Sequence, residues 1–247
     1  MESLTGLEFL RNLGVLGPMI AAGIVIYFSG ESLKNWAGQF LNYKVKLRWY
    51  LIALGIPLIS VIFDTLVLAI IGGDPVEFGV LPGRLVIFVP YFLYQTFLHG
   101  GLEEFGWRGF ALPRLQNKYN PLIASIIIGF FWAAWHLPLF FQPGSPYYDW
   151  LFPLYLFRTI SLSIILTWLY NCSKKSLPVV MILHGAGNAV MLLYPFQMDL
   201  EAVEMPLILQ ISMLVFRFVI AAVIIITSGK NLGKDQNQKA DILSQFK

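Results

Sequence analysis

The residues with the clearest catalytic potential are two adjacent glutamates followed by an arginine, in the segment EEFGWR at 103–108. If this segment is helical, residues four apart are neighbours, so Glu104 faces Arg108 with the acid N-terminal to the base. Glu103 lies about 100° around the helix from Glu104. One carboxylate is then neutralised while the other stays free to act as a general base. The alternative interpretation is a non-catalytic charge cluster at a membrane boundary.

A histidine and an asparagine are also spaced four residues apart, at His184 and Asn188. On a helix both side chains project from one face. An imidazole and a carboxamide side by side can donate hydrogen bonds to a developing oxyanion. The three small residues between them, 185–187, permit close approach by another helix or by a substrate backbone. A purely structural hydrogen bond between helices is the alternative.

A third candidate is His136, which follows Trp132 by one helical turn. We expect the tryptophan to pack beside this imidazole and exclude water, although a structural hydrogen bond would also account for the histidine. His99 has no comparable neighbours and is expected to be structural or interfacial. Together, the candidates supply a free acid, an imidazole that can share a water molecule with it, and a donor pair. These are the parts needed to add water to a carbonyl group.

The elements that must position these residues are apolar helices. The 247-residue chain is 57% hydrophobic and 13% charged, against about 25% charged in soluble domains. A transmembrane helix needs about 20 mostly apolar residues. Seven segments come close to this length: 13–29, 49–71, 85–102, 121–141, 150–170, 177–195 and 206–228. We predict an all-α, polytopic transmembrane bundle of about seven spanning helices in one domain, 13–228, between an N-terminal segment 1–12 and a tail 229–247.

Several ionisable residues fall in or next to these apolar spans. Besides the three histidines and the glutamates, Asp64, Arg158 and Arg217 lie inside spans. Each such residue costs about 2.5–3.5 kcal/mol on insertion scales. A chain that keeps them must therefore either pair them or use them.

Charge and cysteine content exclude other classes of function. The net charge is +3, and no basic stripe is interleaved with aromatic residues, so we expect no nucleic-acid partner. Cys172 is the only cysteine, which rules out a disulfide framework and a cysteine-based metal site.

The distribution of Lys and Arg predicts the orientation. The loops 30–48, 103–120 and 171–176 and the tail together carry 13 of these residues, whereas the opposite side carries two, Arg11 and Arg84. We therefore expect the N-terminus outside and the C-terminus in the cytoplasm.

In these motifs the sequence resembles the CPBP family, which comprises CAAX prenyl endopeptidases of the Ras-converting type and bacterial bacteriocin-processing and immunity-type membrane proteases. The segment from Glu103 on into GFALPRL at 109–115 resembles the family's first motif. The pair Trp132 and His136 resembles the second, with tryptophan where phenylalanine is usual. The His-x-x-x-Asn of 184–188 matches the third, and all three motifs, within 103–188, occur in the family's order.

The resemblance implies an integral membrane endopeptidase that hydrolyses a peptide bond by glutamate-activated water. Glu103 would be the general base, His136 would help to orient the water, and His184 with Asn188 would form the oxyanion hole. Glu104 and Arg108 would support the site, as their helical spacing also indicates. No cofactor is expected; if a metal were bound, a zinc ion held by Glu103, His136 and His184 from three helices would be the arrangement.

The expected partners are a peptide or protein substrate, with or without a lipid, and the bilayer of a prokaryotic plasma membrane. A transporter or proton relay would use the same Glu and His residues, but it would predict paired repeats of broken helices, and the sequence has no repeat. A non-catalytic immunity or scaffold protein of the same fold is the third alternative.

Helix geometry raises one difficulty for a shared site. At 1.5 Å per residue, His136 lies ~22 Å from the start of its helix at Pro121, whereas His184 lies only ~10 Å from Leu177. Because a shared site requires similar depth, we expect tilted helices or a fourth helix that protrudes into the cytoplasm.

Overall fold

The computed structural model describes residues 14–72, 76–196 and 206–234. The predicted N-terminal segment 1–12 and the tail from residue 235 onwards lie outside the described residues. Within the described ranges the regular structure is helical throughout.

Ten α-helices follow one another in these ranges: α1 (Gly17–Phe28), α2 (Leu33–Gly38), α3 (Leu47–Val67), α4 (Leu81–Phe97), α5 (Glu103–Gly106), α6 (Leu112–Lys118), α7 (Pro121–His136), α8 (Phe152–Cys172), α9 (Leu177–Ala189) and α10 (Leu207–Ser228). Four short 3₁₀ or π segments adjoin the site: Gly100–Leu102, Trp107–Ala111, Leu137–Phe141 and Val190–Leu193.

The apolar spans of the sequence are helices in the structure. Within the part of the chain that the structure describes, five stretches are long and apolar enough to cross a membrane: Leu47–Ile71, Phe78–Lys118, Pro121–Phe141, Phe152–Cys172 and Leu207–Asn231. The apolar stretches Gly17–Phe28 and Leu177–Leu193 are shorter. Large apolar side chains face outwards, with Phe28, Ile70 and Ile226 at least 80% exposed, as a lipid-facing surface requires. The predicted all-α polytopic bundle is therefore confirmed.

Among the described helices of ten or more residues, the helix that carries His184 and Asn188 is the most enclosed. Ten of the 13 residues of α9 are buried, and the helix packs against α3 and α4, while α8 packs against α7 and α10. A Cβ atom added at Gly185 would lie 2.6 Å from the Cα of Thr96 on α4. The small residue at 185 therefore permits the close helix approach that the sequence indicated.

The segment after the third predicted span differs from expectation. The sequence predicts one span at 85–102 and a cytoplasmic loop at 103–120. Instead α4 ends at Phe97, and the chain continues through helical segments to Lys118. Arg108 is fully buried, so it does not belong among the loop charges that predict the orientation. Hydropathy alone does not predict these helical segments, because it assigns charged residues to water. Here the buried charges pair with one another instead.

A π-helical turn at Trp107–Ala111 interrupts the regular helix just after the two glutamates. Such a turn disturbs the normal backbone pairing, which side chains elsewhere must then complete. The Trp36 indole donates to the carbonyl of Phe105 at 3.2 Å, and the Gln39 amide donates to that of Gly109 at 3.1 Å. The predicted loop 30–48, which contains α2, thus helps to hold the segment that bears the candidate base.

Candidate active site

The two adjacent glutamates have different surroundings, as their helical spacing predicted. Glu103, at the start of α5, is 2% exposed and lines a cavity of about 810 Å³. One of its oxygens accepts a hydrogen bond from the Trp107 indole at 3.2 Å. Glu104 is fully buried and accepts two hydrogen bonds from Arg108 Nη1, at 3.1 and 3.0 Å.

Glu104 has a second partner that the sequence did not reveal. Its Oε1 accepts a hydrogen bond from His184 Nδ1 at 2.8 Å, across 80 residues of sequence. Arg108 in turn donates to the hydroxyl of Ser163 on α8 at 3.0 Å. One buried carboxylate thus joins α5 to α9, and its arginine partner extends the network to α8.

Trp132 is placed differently from our expectation. Its ring packs against the His184 imidazole, with centroids 5.1 Å apart, and the Arg108 guanidinium lies 5.0 Å over the same ring. The aromatic rings that pack against His136 are instead those of Tyr147 and Tyr155, because the Trp132 ring is turned towards α9. Trp132 instead covers the buried Glu104–His184–Arg108 network.

His136 ends α7 and lines the cavity. Its Nδ1 lies 3.0 Å from the Trp132 carbonyl oxygen. Because a carbonyl only accepts, Nδ1 carries the hydrogen, and in the neutral ring Nε2 is left as an acceptor. The rings of Tyr147 and Tyr155 lie 5.6 and 5.7 Å from the imidazole and fix its position.

The candidate donor pair converges beside a glycine. A Cβ atom added at Gly100 would lie 2.5 Å from Asn188 Nδ2 and 2.9 Å from His184 Nε2. Both nitrogens therefore face one point next to Gly100, and a larger residue there would displace them. The sequence predicted that His184 and Asn188 share a face, but it gave no sign of Gly100.

Gln95 is a polar residue of the site that sequence reasoning missed. Its Oε1 accepts from Asn188 Nδ2 at 3.0 Å and from His99 Nδ1 at 3.2 Å, and its amide donates to the Tyr91 hydroxyl at 2.9 Å. His99 thus makes a structural hydrogen bond, as expected, although it also lines the cavity. The spacing of Gln95 and His99, one turn apart in an apolar span, was the available signal.

One cavity brings the four predicted catalytic residues together. Its walls include Glu103, His136, His184 and Asn188. The helix lengths suggested that His136 and His184 lie at different depths. In the structure the α7 residue that contacts His184 is Trp132. His136 lies one turn further on, about 5.4 Å, and the cavity is long enough to include both levels.

The alternative zinc trio is not assembled as a ligand set. Among the described residues, no three His, Cys, Asp or Glu side chains come together as a group that could hold a metal ion. His184 directs Nδ1 to Glu104, and His136 directs Nδ1 to a carbonyl, which leaves Nε2 of each ring as the atom that could bind a metal. Among the described residues, what is missing is the convergence of the three side chains on one point that zinc requires.

Comparisons with known proteins agree with the motifs. Residues 85–190 match the family model described as Type II CAAX prenyl endopeptidase Rce1-like. The CAAX prenyl protease 2 of Methanococcus maripaludis is 29% identical over 202 residues, covering 77% of this chain and 74% of that protein. The resemblance seen in the sequence is confirmed over residues 85–190, less than half of the chain, which are similar to the Rce1-like endopeptidases.

Proposed function

We propose that this peptidase is an endopeptidase that cleaves its substrate with a water molecule activated by Glu103. The observation that carries the proposal is the unequal use of two neighbouring carboxylates. Glu104 is occupied by Arg108 and His184. Glu103 receives a single indole hydrogen bond and faces the cavity, so it retains acceptor capacity for water.

In this mechanism Glu103 removes a proton from water as the water oxygen bonds to the scissile carbonyl carbon. The free Nε2 of His136 accepts the second water hydrogen and orients the nucleophile. The carbonyl oxygen becomes an oxyanion, which Asn188 Nδ2 and His184 Nε2 stabilise from beside Gly100. The C–N bond then breaks, and Glu103 returns its proton to the leaving amine.

Donation by both His184 nitrogens sets a requirement on its charge. The carboxylate of Glu104 accepts at Nδ1, so Nε2 can donate to the oxyanion only when the ring is an imidazolium. Glu104 is placed to balance that charge at 2.8 Å. Because Glu104 contacts His184 as well as Arg108, we assign it an electrostatic function in addition to its structural pairing with Arg108.

We propose that the substrate is the C-terminal region of a peptide or protein, with prenylated chains as the first candidates. The relative's name states that it is a CAAX prenyl protease. The apolar and aromatic walls of the cavity, among them Trp135, Tyr147 and Trp150, suit an apolar chain bound within a membrane.

The test is cleavage of a peptide library, in prenylated and unmodified forms, by protein purified in detergent. We expect cleavage by the wild-type protein and none by Glu103→Gln. A strong chelator should leave activity intact, since the proposed mechanism needs no metal. Loss on chelation with rescue by zinc would contradict the metal-free mechanism, and absence of any cleavage would favour a transporter or scaffold.

We further propose that the protein lies in a prokaryotic plasma membrane with its N-terminus outside and its C-terminus in the cytoplasm. Without the buried Arg108, the bias of Lys and Arg is still 12 against 2. A reporter that is active only outside the cytoplasm, fused after Lys247, should give no signal. A strong signal would reverse the orientation.

A further inference from the structure

A second cavity, of about 400 Å³, lies at the end of the bundle where α3 begins and α8 ends. Four cationic side chains line it, and we call them the basic cluster: Lys44, Lys46, Arg48 and Lys174. None of the residues that line this cavity is acidic, and none also lines the cavity that contains Glu103. The proposed reaction therefore does not account for the basic cluster.

The charges of the basic cluster are not balanced by a neighbouring acid. The ion pairs within the described ranges involve none of its members. The Arg48 guanidinium lies 4.5 Å over the Trp49 ring, which fixes its plane and leaves the N–H groups at its edge for an oxyanion. Like charges around one cavity repel one another, and an anion that enters between them lowers the electrostatic energy. The cavity is therefore suited to an anionic ligand.

The turn after α8 holds Lys174 at this cavity in an unfavourable backbone conformation. Lys174 and Lys175 have φ angles of 56° and 58°, in the left-handed region that residues other than glycine rarely adopt. The Asn42 side chain donates to the Lys174 carbonyl at 2.7 Å, and the Ser176 hydroxyl donates to the Asn42 carbonyl at 2.6 Å. These bonds tie the turn to the segment that carries the other three cations. A lysine thus stands at the cavity where glycine would be less strained.

A stripe of exposed leucines leads from the cavity along α3. Leu47, Leu51, Leu54 and Leu58 follow the helical repeat and share one face, and each is at least 37% exposed. From Leu47 to Leu58 the helix rises about 17 Å, close to half of the ~30 Å hydrocarbon core of a bilayer. An acyl chain that packs along this stripe would therefore reach the middle of the bilayer while its headgroup lies at the cavity.

We propose that the basic cluster binds the phosphate of an anionic phospholipid, whose acyl chain packs along the leucine stripe of α3. A free phosphate would satisfy the same cations, but it would make no use of the stripe. A lipid with a net negative charge is favoured over a zwitterionic lipid, because a choline group would bring a further cation to the cluster. The site is independent of the proposed peptidase reaction.

The test is native mass spectrometry of the full chain in neutral detergent, with phosphatidylglycerol and phosphatidylcholine that carry the same acyl chains. We expect phosphatidylglycerol to bind about tenfold more tightly or better. Lys46→Gln/Arg48→Gln should weaken its binding about 30-fold, since each cation near a membrane surface contributes a factor of about five. Lys34→Gln/Lys118→Gln removes two exposed cations outside the cavity, and it should leave the affinity unchanged.

A matched pair of glycine variants separates lipid binding from folding. Lys174→Gly and Lys175→Gly each remove one lysine and relieve the same left-handed backbone, so neither should lower the unfolding temperature of the lipid-free protein. Of these two lysines, Lys174 lines the cavity and Lys175 does not. We therefore expect Lys174→Gly to weaken phosphatidylglycerol binding about fivefold and Lys175→Gly to bind it as the wild-type protein does.

Three results would overturn the inference. The first is equal affinity of the wild-type protein for the two lipids. The second is equal weakening by the two glycine variants, which would replace a defined site with the general charge of the surface. The third is thermal stabilisation by inorganic phosphate that equals the effect of phosphatidylglycerol, which would assign the cavity to a free phosphate.

Discussion

The two buried charge groups of this protein differ in how completely their members are paired. Around Glu104, a carboxylate, a guanidinium and an imidazole are joined by hydrogen bonds of 2.8–3.1 Å, although Nε of Arg108 has no partner among the described residues. In a second group, formed by Asp64, Arg158 and Arg217, hydroxyl groups satisfy the carboxylate, and the arginines take part in none of the ion pairs among the described residues. The first arrangement suits a fixed scaffold for chemistry, and the second suits the capture of a ligand.

This difference shows why burial alone does not identify a functional charge. Arg108 and Glu104 are both fully buried, yet they pair with each other, and the Nη atoms of the guanidinium are used by Glu104 and Ser163 while Nε has no partner among the described residues. Glu103, Arg158 and Arg217 face the cavity with capacity remaining. The useful criterion within a membrane is therefore the unused hydrogen-bonding capacity of a residue.

The sharpest test of the comparison is to neutralise each adjacent glutamate in turn. Glu103→Gln should reduce turnover by about 10²–10⁴-fold, the usual cost of losing a general base, with no change in unfolding temperature. Glu104→Gln should destabilise the protein, because losing one partner of a buried ion pair costs roughly 3–5 kcal/mol. Turnover and thermal unfolding in detergent measure the two effects.

A double variant provides the control for this pair. Glu104→Gln with Arg108→Met should recover part of the stability, since no lone arginine remains, whereas no change at Arg108 should rescue Glu103→Gln. A stable but inactive Glu104→Gln protein, beside an active Glu103→Gln protein, would reverse the two roles.

The next effect concerns the point where the donor pair converges. Gly100→Ala adds a Cβ atom 2.5 Å from Asn188 Nδ2, so the donors must move apart. We expect turnover to fall by about 10²–10³-fold, as when an oxyanion donor is removed. Gly55→Ala on α3 is the matched control, because its Cβ meets nothing within 4 Å. Full turnover in Gly100→Ala would exclude the pair from the reaction.

The smallest effect is expected at the buried Asp64 carboxylate. Tyr194→Phe removes a hydrogen bond to the buried Asp64 carboxylate, which should cost about 1.5–3 kcal/mol of stability. Turnover per folded molecule should change far less than in Gly100→Ala. Tyr148→Phe, at an exposed tyrosine, is the control for thermal unfolding. Equal stability of both variants would mean that Asp64 does not depend on Tyr194.

Short-range spacing explains what the sequence allowed us to predict. The contact of Glu104 with Arg108 follows from a separation of four residues, and the shared cavity face of His184 and Asn188 follows from the same rule. The seven apolar segments were found because membrane spans require long apolar stretches. Each of these inferences uses one helix at a time.

Contacts between helices could not be predicted in this way. The bonds of His184 to Glu104 and of Asn188 to Gln95 join residues 80 and 93 positions apart. The end of α4 at Phe97 and the π turn at Trp107–Ala111 leave no mark on hydropathy. Arg158 and Arg217 were visible as intramembrane charges, but their place in the cavity depends on how α8 and α10 pack.

The bond between His184 and Glu104 also has a consequence for the synthesis of the protein. Glu103 and its partner Trp107 lie within one helical turn, so they come together as soon as that segment folds. The oxyanion donors arrive with α9, about 80 residues later. Under the proposed mechanism, the growing chain therefore holds the candidate base without the candidate donors while these ~80 residues are made, and the set is complete only when α9 joins the bundle.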